Sequence, residues 1–227
     1  MTDTFASRAI TFYESLREPT GLPAGVSALN PYREPEVQHI GREFYGNFFN
    51  DTHPRVFVMG INPGRFGAGV TGISFTTPQN LDQYCGIPNS LPPTPELSSR
   101  FIYQIVEAFG GAANFYSHFF LTSLYPLALV KNGKNYNFYD DRATTEALWP
   151  VITDNVRQQL QFGARRDVAV CLGRKNEQFL TRLNAENGFF ERVISLDHPR
   201  YILQYKSKSI DAYIEQYISV LGGEISL

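Results

Sequence analysis

In Val56-Phe57-Val58-Met59-Gly60-Ile61-Asn62-Pro63-Gly64-Arg65-Phe66-Gly67-Ala68-Gly69 an unbroken apolar run ends in a glycine-rich loop. Four apolar residues without a polar interruption match a strand buried on both faces. Three similar runs follow, Phe119 to Leu124, Val168 to Leu172 and Val193 to Leu196. Helical patterns lie between them, around 99–109, 144–160 and 175–186, and a last one covers 207–221. Strands alternating with helices predict an α/β fold: one domain with a central four-stranded, mainly parallel sheet and helices on both faces.

Ahead of the first run, Phe5, Ala9, Tyr13 and Leu16 recur at helical spacing, as do Val37, Ile40, Phe44 and Phe48. Residues 18–35 are rich in Pro and Gly and read as an ordered loop, and the four prolines of Pro88–Pro95 as another. No linker divides the chain. It reads as a single α/β domain over 1–227, with a helical segment over about 1–50 and a core over about 55–220.

The 227 residues are 43% hydrophobic and 14% aromatic, enough for a sizeable core, which excludes a disordered chain. Twenty basic residues against 22 acidic give a net charge of −2, so the chain does not coat nucleic acid by bulk charge. Cys85 and Cys171 are too few for a disulfide scaffold or a four-cysteine metal site. No apolar run is long enough to span a bilayer, and Met1-Thr2-Asp3-Thr4-Phe5 lacks the features of a signal peptide. A cytoplasmic protein with reduced thiols, monomeric by default, is the expectation. Cys171 lies in a strand and reads as inert core; Cys85 has no histidine near it in sequence.

The loop after the first run lies where ligands bind in open α/β sheets. It is neither a P-loop nor a dinucleotide-binding fingerprint, because the Gly-Lys-Ser/Thr and G-x-G-x-x-G patterns are missing. On spacing alone it reads equally as a plain turn. Pro63 pushes Asn62 towards an extended backbone, so that its amide stands at the sheet rim. Such an amide can orient a water but is too weak a base to ionise one. The fourth run leads into Asp197-His198-Pro199-Arg200-Tyr201. That places His198 at a strand end too, facing the same crevice as Asn62. His39, His53 and His118 have no such context.

These two segments resemble a known family. Gly60-Ile61-Asn62-Pro63-Gly64, Phe66-Gly67, Thr71-Gly72-Ile73 and Phe75 are similar to motif 1 of the uracil-DNA glycosylase superfamily, most of all to its single-strand-selective monofunctional branch. The mismatch-specific branch shares the G-I-N-P-G core but usually lacks the histidine of His198-Pro199, which is similar to motif 2 of the single-strand-selective branch. The iron–sulfur branches need four cysteines, and another branch carries Asp where Asn62 stands. The resemblance covers roughly residues 55–220. It departs at Ser123, which takes the place of a base-reading asparagine, and at Arg200-Tyr201-Ile202-Leu203, which replaces Ser-Pro-Arg-Asn. The departures suggest a diverged bacterial subfamily whose lesion range could include other deaminated bases.

The resemblance implies a monofunctional DNA glycosylase of base excision repair. It would flip a deaminated base, uracil first, out of DNA and hydrolyse its N-glycosidic bond. Asn62 and His198 would be catalytic. Gly60, Gly64, Ala68, Phe75 and Ser123 would line the base pocket. Arg65, Arg200, Tyr201, Ile202 and Lys206 would contact DNA, with Tyr201 and Ile202 as the wedge and Lys131 and Lys134 as a second basic pair. The partner would be DNA containing a damaged base, with no membrane, and no metal, iron–sulfur cluster or other cofactor is called for. A non-catalytic protein that binds damaged or single-stranded DNA is the alternative, kept open by Ser123. A small-molecule nucleotide or nucleoside enzyme comes third.

Overall fold

The computed structural model describes residues 3–225; Met1, Thr2 and residues 226–227, at the ends of the expected 1–227 span, lie outside them. Helix α1 (Phe5–Ser15) is opened by Thr4, whose hydroxyl accepts the Ser7 N–H. Strand β1 (Val26–Leu29) and a 3₁₀ turn at Pro31–Arg33 lie inside the segment read as a loop. The strand is too short and too mixed to show a pattern, and exists through its pairing partner. Helix α2 (Pro35–Phe48) follows, then β2 (Arg55–Gly60).

The glycine loop leads into the short α3 (Ala68–Thr71). Next come α4 (Pro78–Cys85), α5 (Leu97–Ala108), α6 (Ala112–His118) and β3 (Phe119–Ser123). Strands β4 (Ala128–Lys131) and β5 (Lys134–Tyr136) form a hairpin, followed by α7 (Arg142–Leu160) and β6 (Ala164–Leu172). The chain continues through α8 (Arg174–Asn187), β7 (Arg192–Leu196), α9 (Pro199–Tyr205) and α10 (Ile210–Ile225). Helices α3, α4, α6 and α9 were not legible as patterns; α4 did carry a start signal, Thr77 before Pro78.

The central sheet has four strands in the order β3-β2-β6-β7, and every pairing is parallel. All residues of β2 and β3 are buried. Successive side chains of a strand point to opposite faces, so both faces of the sheet are covered there. A second sheet, β1-β4-β5, is antiparallel.

Phe5, Phe49, Phe57, Phe120 and Phe162 pack as a cluster at one end of the core. Arg55 is buried beside them, its guanidinium 5.4 Å from the Phe5 ring centroid and 5.3 Å from that of Phe49. It pairs with Asp51 and donates to the Tyr116 carbonyl at 3.2 Å. Among the described residues no helix is long and apolar enough to cross a membrane.

Candidate active site

The register of the parallel sheet aligns the strand ends. Gly60 pairs with Ser123, Met59 with Cys171, and Leu172 with Leu196. Residues just beyond these ends therefore meet at one rim: Asn62 after β2, Ser123 closing β3, Gly173 after β6 and His198 after β7. This is the crevice where ligands of open α/β sheets bind.

Asn62 is held by backbone at the end of β5 and just after it. Its Nδ2 donates to the Tyr136 carbonyl at 3.0 Å, and its Oδ1 accepts the Phe138 N–H at 3.2 Å. An amide oxygen has two lone pairs, so Oδ1 keeps one for a further donor such as water. The hairpin grips the rest of the loop as well. Asn135 accepts the Arg65 N–H at 2.9 Å, and the Arg65 guanidinium donates to the Gly133 carbonyl at 2.7 Å. A Cβ at Gly64 would stand 3.2 Å from Asn135 Nδ2, and one at Gly69 would stand 2.3 Å from the Gly64 carbonyl oxygen. These glycines let the loop fold back on itself; Ala68 is buried beside them.

Phe75 has φ +56°. For a bulky residue this is a true outlier, worth about 1–3 kcal/mol of strain, and it persists only where its surroundings over-determine it. Here the buried Thr71 hydroxyl does so, accepting the Ile73 N–H at 3.1 Å and donating to the Thr76 carbonyl at 2.8 Å. Thr76 in turn shares a hydrogen bond with the Tyr103 hydroxyl at 3.0 Å. The ring is thereby turned onto Gly60, where a Cβ would meet Phe75 Cζ at 2.9 Å and Ser123 Oγ at 3.5 Å. Gly60, Phe75 and Ser123 thus form one contiguous surface.

His198 precedes α9 and caps it with Nδ1, which accepts the Arg200 N–H at 3.1 Å. A backbone N–H can only donate, so Nδ1 carries no proton and the neutral ring carries its proton on Nε2. Burial, with Arg200 adding to it, pushes the imidazole down to about 4. At neutral pH it is an uncharged donor. Its ring centroid lies 6.3 Å from that of Phe75. The backbone beneath is fixed by Tyr217, whose hydroxyl donates to the Asp197 carbonyl. Gly173 leaves room for it: a Cβ there would lie 3.2 Å from His198 Cβ, at φ +108°.

Asn62, Gly60, Gly64, Ala68, Phe75, Ser123 and His198 are therefore gathered at or beside one rim. Of the expected DNA contacts, Arg65, Arg200, Tyr201 and Lys206 are exposed. Ile202 is not: its exposure is 0%, and it packs into the core beneath α9. The expectation that Ile202 wedges into DNA is corrected, because on a helix the residue after Tyr201 turns inward. One turn on, Tyr205 is 66% exposed and lies against the 41% exposed Tyr201, ring centroids 5.6 Å apart. Lys131 is drawn to Asp141 at 3.6 Å, which weakens its reading as part of a phosphate-binding pair.

Sequence reasoning placed Thr71 in the first motif without reading its hold on the turn, and gave no role to Asn135, Gly173 or Tyr205. Asn135 follows an Asn-Gly hairpin signal, and Tyr205 stands at i+4 from Tyr201. Both cysteines are buried and their thiols are pushed up by burial, Cys85 to about 11, so neither is a ready nucleophile. Among the described residues no three His, Cys, Asp or Glu side chains are grouped to hold a metal ion.

The family model described as the uracil DNA glycosylase superfamily matches residues 47–222. The crystal structure of wild-type SMUG2 from Pedobacter heparinus is similar over 100% of this chain and 100% of that chain, with 43% sequence identity and a TM-score of 0.95. No curated protein matches.

Proposed function

The chain belongs to the uracil DNA glycosylase superfamily, and on that premise we propose that it is a monofunctional glycosylase which hydrolyses the bond between a deaminated base, uracil first, and its deoxyribose in DNA, as a step of base excision repair. The observation that carries this reading is the state of His198: a neutral imidazole, oriented by the Arg200 N–H, with Nε2–H left to donate. Breaking the C1′–N bond leaves the electron pair, and so the negative charge, on the base. A preorganised donor to the oxygen where that charge collects contributes about 3–4 kcal/mol to the transition state. A neutral donor does this without adding a buried charge to the resting site.

The other roles follow from position. Phe75 offers a face for the flipped base, and stacking worth about 1–3 kcal/mol offsets much of the cost of unstacking it. Gly60, Gly64 and Ala68 bring backbone close to the pocket. Ser123 bonds the base edge through a hydroxyl that can donate or accept, so it imposes less selectivity than an amide. Asn62, with one lone pair of Oδ1 free of Phe138, orients the water that adds to C1′; that water's proton passes to solvent as the sugar's cationic character collapses, and the departing base anion takes one up to leave as the neutral base. Arg65, Arg200 and Lys206 attract phosphates, and Tyr201 with Tyr205 fills the vacated stack.

The test is chromatography of the small molecules released from an oligonucleotide with a single uracil. Free uracil is expected together with a strand that stays intact until treated with alkali. Strand scission without alkali would contradict the monofunctional reading, and absence of free base would contradict glycosylase action.

A further inference from the structure

Glu96 has no part in the roles above. It stands at the end of the proline-rich segment, as the residue that opens α5, yet its side chain does not cap that helix. Instead its carboxyl is pressed against Gly67 of the glycine loop, where a Cβ would fall 2.0 Å from Oε2. That oxygen is closed off from solvent and has no hydrogen-bond partner. The loop offers it only backbone, and the Gly67 N–H is turned to Thr94 Oγ1 at 3.5 Å.

Three arginines lie on the glycine loop, α5 and α9, the elements that meet here. Helix α9 packs against α5, and its Arg200 is the charge that favours the ionised carboxyl. Arg65, on the glycine loop, is engaged with the Gly133 carbonyl, and Arg100, one turn along α5, is exposed. Burial, opposed in part by Arg200, pushes the Glu96 carboxyl up to about 7. The neutral form is favoured because the closed-off oxygen has no donor to stabilise a charge.

We propose that Glu96 couples DNA binding to proton uptake: a phosphate that engages Arg200 offsets the charge favouring the ionised carboxyl, so the complex holds Glu96 protonated where the free protein does not. This rests on the DNA-binding reading above. The sign follows from linkage. The complex binds more protons than the free protein, so affinity falls as pH rises through about 7. Below that range both forms are protonated and the dependence vanishes. Protonation also removes the negative charge that would repel the phosphate.

The experiment measures the anisotropy of a labelled oligonucleotide containing 2′-fluoro-arabinouridine, which resists cleavage, with wild-type protein and Glu96→Gln. The wild-type Kd is expected to rise about tenfold between roughly pH 6 and pH 8.5, and that of Glu96→Gln to stay level near the low-pH value. Calorimetry of the wild-type protein near pH 7.5, in two buffers of different ionisation heat, is expected to show net proton uptake, and this readout needs no variant. Tight binding at every pH without proton uptake, or a slope that Glu96→Gln retains, would overturn the inference while leaving the glycosylase reading in place. Failure of both proteins to bind near pH 6 would overturn DNA binding and the inference with it.

Discussion

His198 is set up by its neighbours. The Arg200 N–H occupies Nδ1, so protonating the ring means breaking the cap of α9 as well as placing a charge in a half-buried site. The neutral form is the one that both folds and donates. With the ring pushed down to about 4, the single-turnover rate at saturating protein, which is free of any change in affinity, is expected to stay level from neutral pH to about pH 5 and to fall some tenfold per unit below about 4. A histidine of ordinary behaviour would give a limb near pH 6.5 instead. Stability runs with the same sign: the unfolded chain takes up the proton first, so the contribution of His198 is lost as pH falls from about 6.5 towards 4. A pH–rate profile with circular dichroism at each pH separates the two. Asn62 and His198 were legible in the sequence because each follows an apolar run and borders a proline. Ile202 was misread because an apolar residue beside an exposed tyrosine carries no sign of which way it points; only the helix phase of α9 decides that. Glu96 was invisible, since nothing in its sequence context tells of a carboxyl closed off against a glycine.

At the scale of elements, the strained turn between α3 and α4 carries Phe75, and one hydroxyl holds it. Thr71→Val keeps the shape but leaves the Ile73 N–H and Thr76 carbonyl without their partner. A loss of about 1–3 kcal/mol in stability is expected from two stranded buried groups. If the turn relaxes, Phe75 leaves Gly60 and kcat/KM falls by more than the unfolded fraction explains. Chemical denaturation beside single-turnover kinetics checks both, and unchanged values would show that Thr71 does not hold the turn. The β4–β5 hairpin is the second device. Lys131 and Lys134 pair across Asn132 and Gly133, which have φ +51° and +72°. That is the geometry an Asn-Gly hairpin requires, and the signal was present in the sequence. Its use was not legible there: the last residue of β5, Tyr136, clamps Asn62 from 74 residues away. Strands β2, β3, β6 and β7 were readable as apolar runs. Strand β6 begins earlier than its run, at Ala164, because Arg165, Arg166 and Asp167 extend it with partners of their own.

For the whole molecule, sheet order does what sequence distance conceals. The strands β3-β2-β6-β7 run parallel, so their C-terminal ends form one line, and motifs far apart in the chain close on one crevice. The net charge of −2 concerns the surface as a whole; Arg65 on the glycine loop, and Arg200 and Lys206 at the two ends of α9, are exposed, and α9 also carries the aromatic pair Tyr201 and Tyr205. On the proposed function, such a local basic rim on a near-neutral protein would bind DNA weakly except where a base can leave the stack and enter. The central claim is that this crevice breaks the glycosidic bond through Asn62 and His198 acting together. The most direct measurement is the single-turnover rate of alkali-sensitive site formation in an end-labelled, uracil-containing strand, for wild-type protein, Asn62→Ala and His198→Ala, with folding checked by circular dichroism. The account predicts rapid formation by the wild-type protein and a loss of about a hundredfold or more in each folded variant. Undiminished rates in both variants would contradict it.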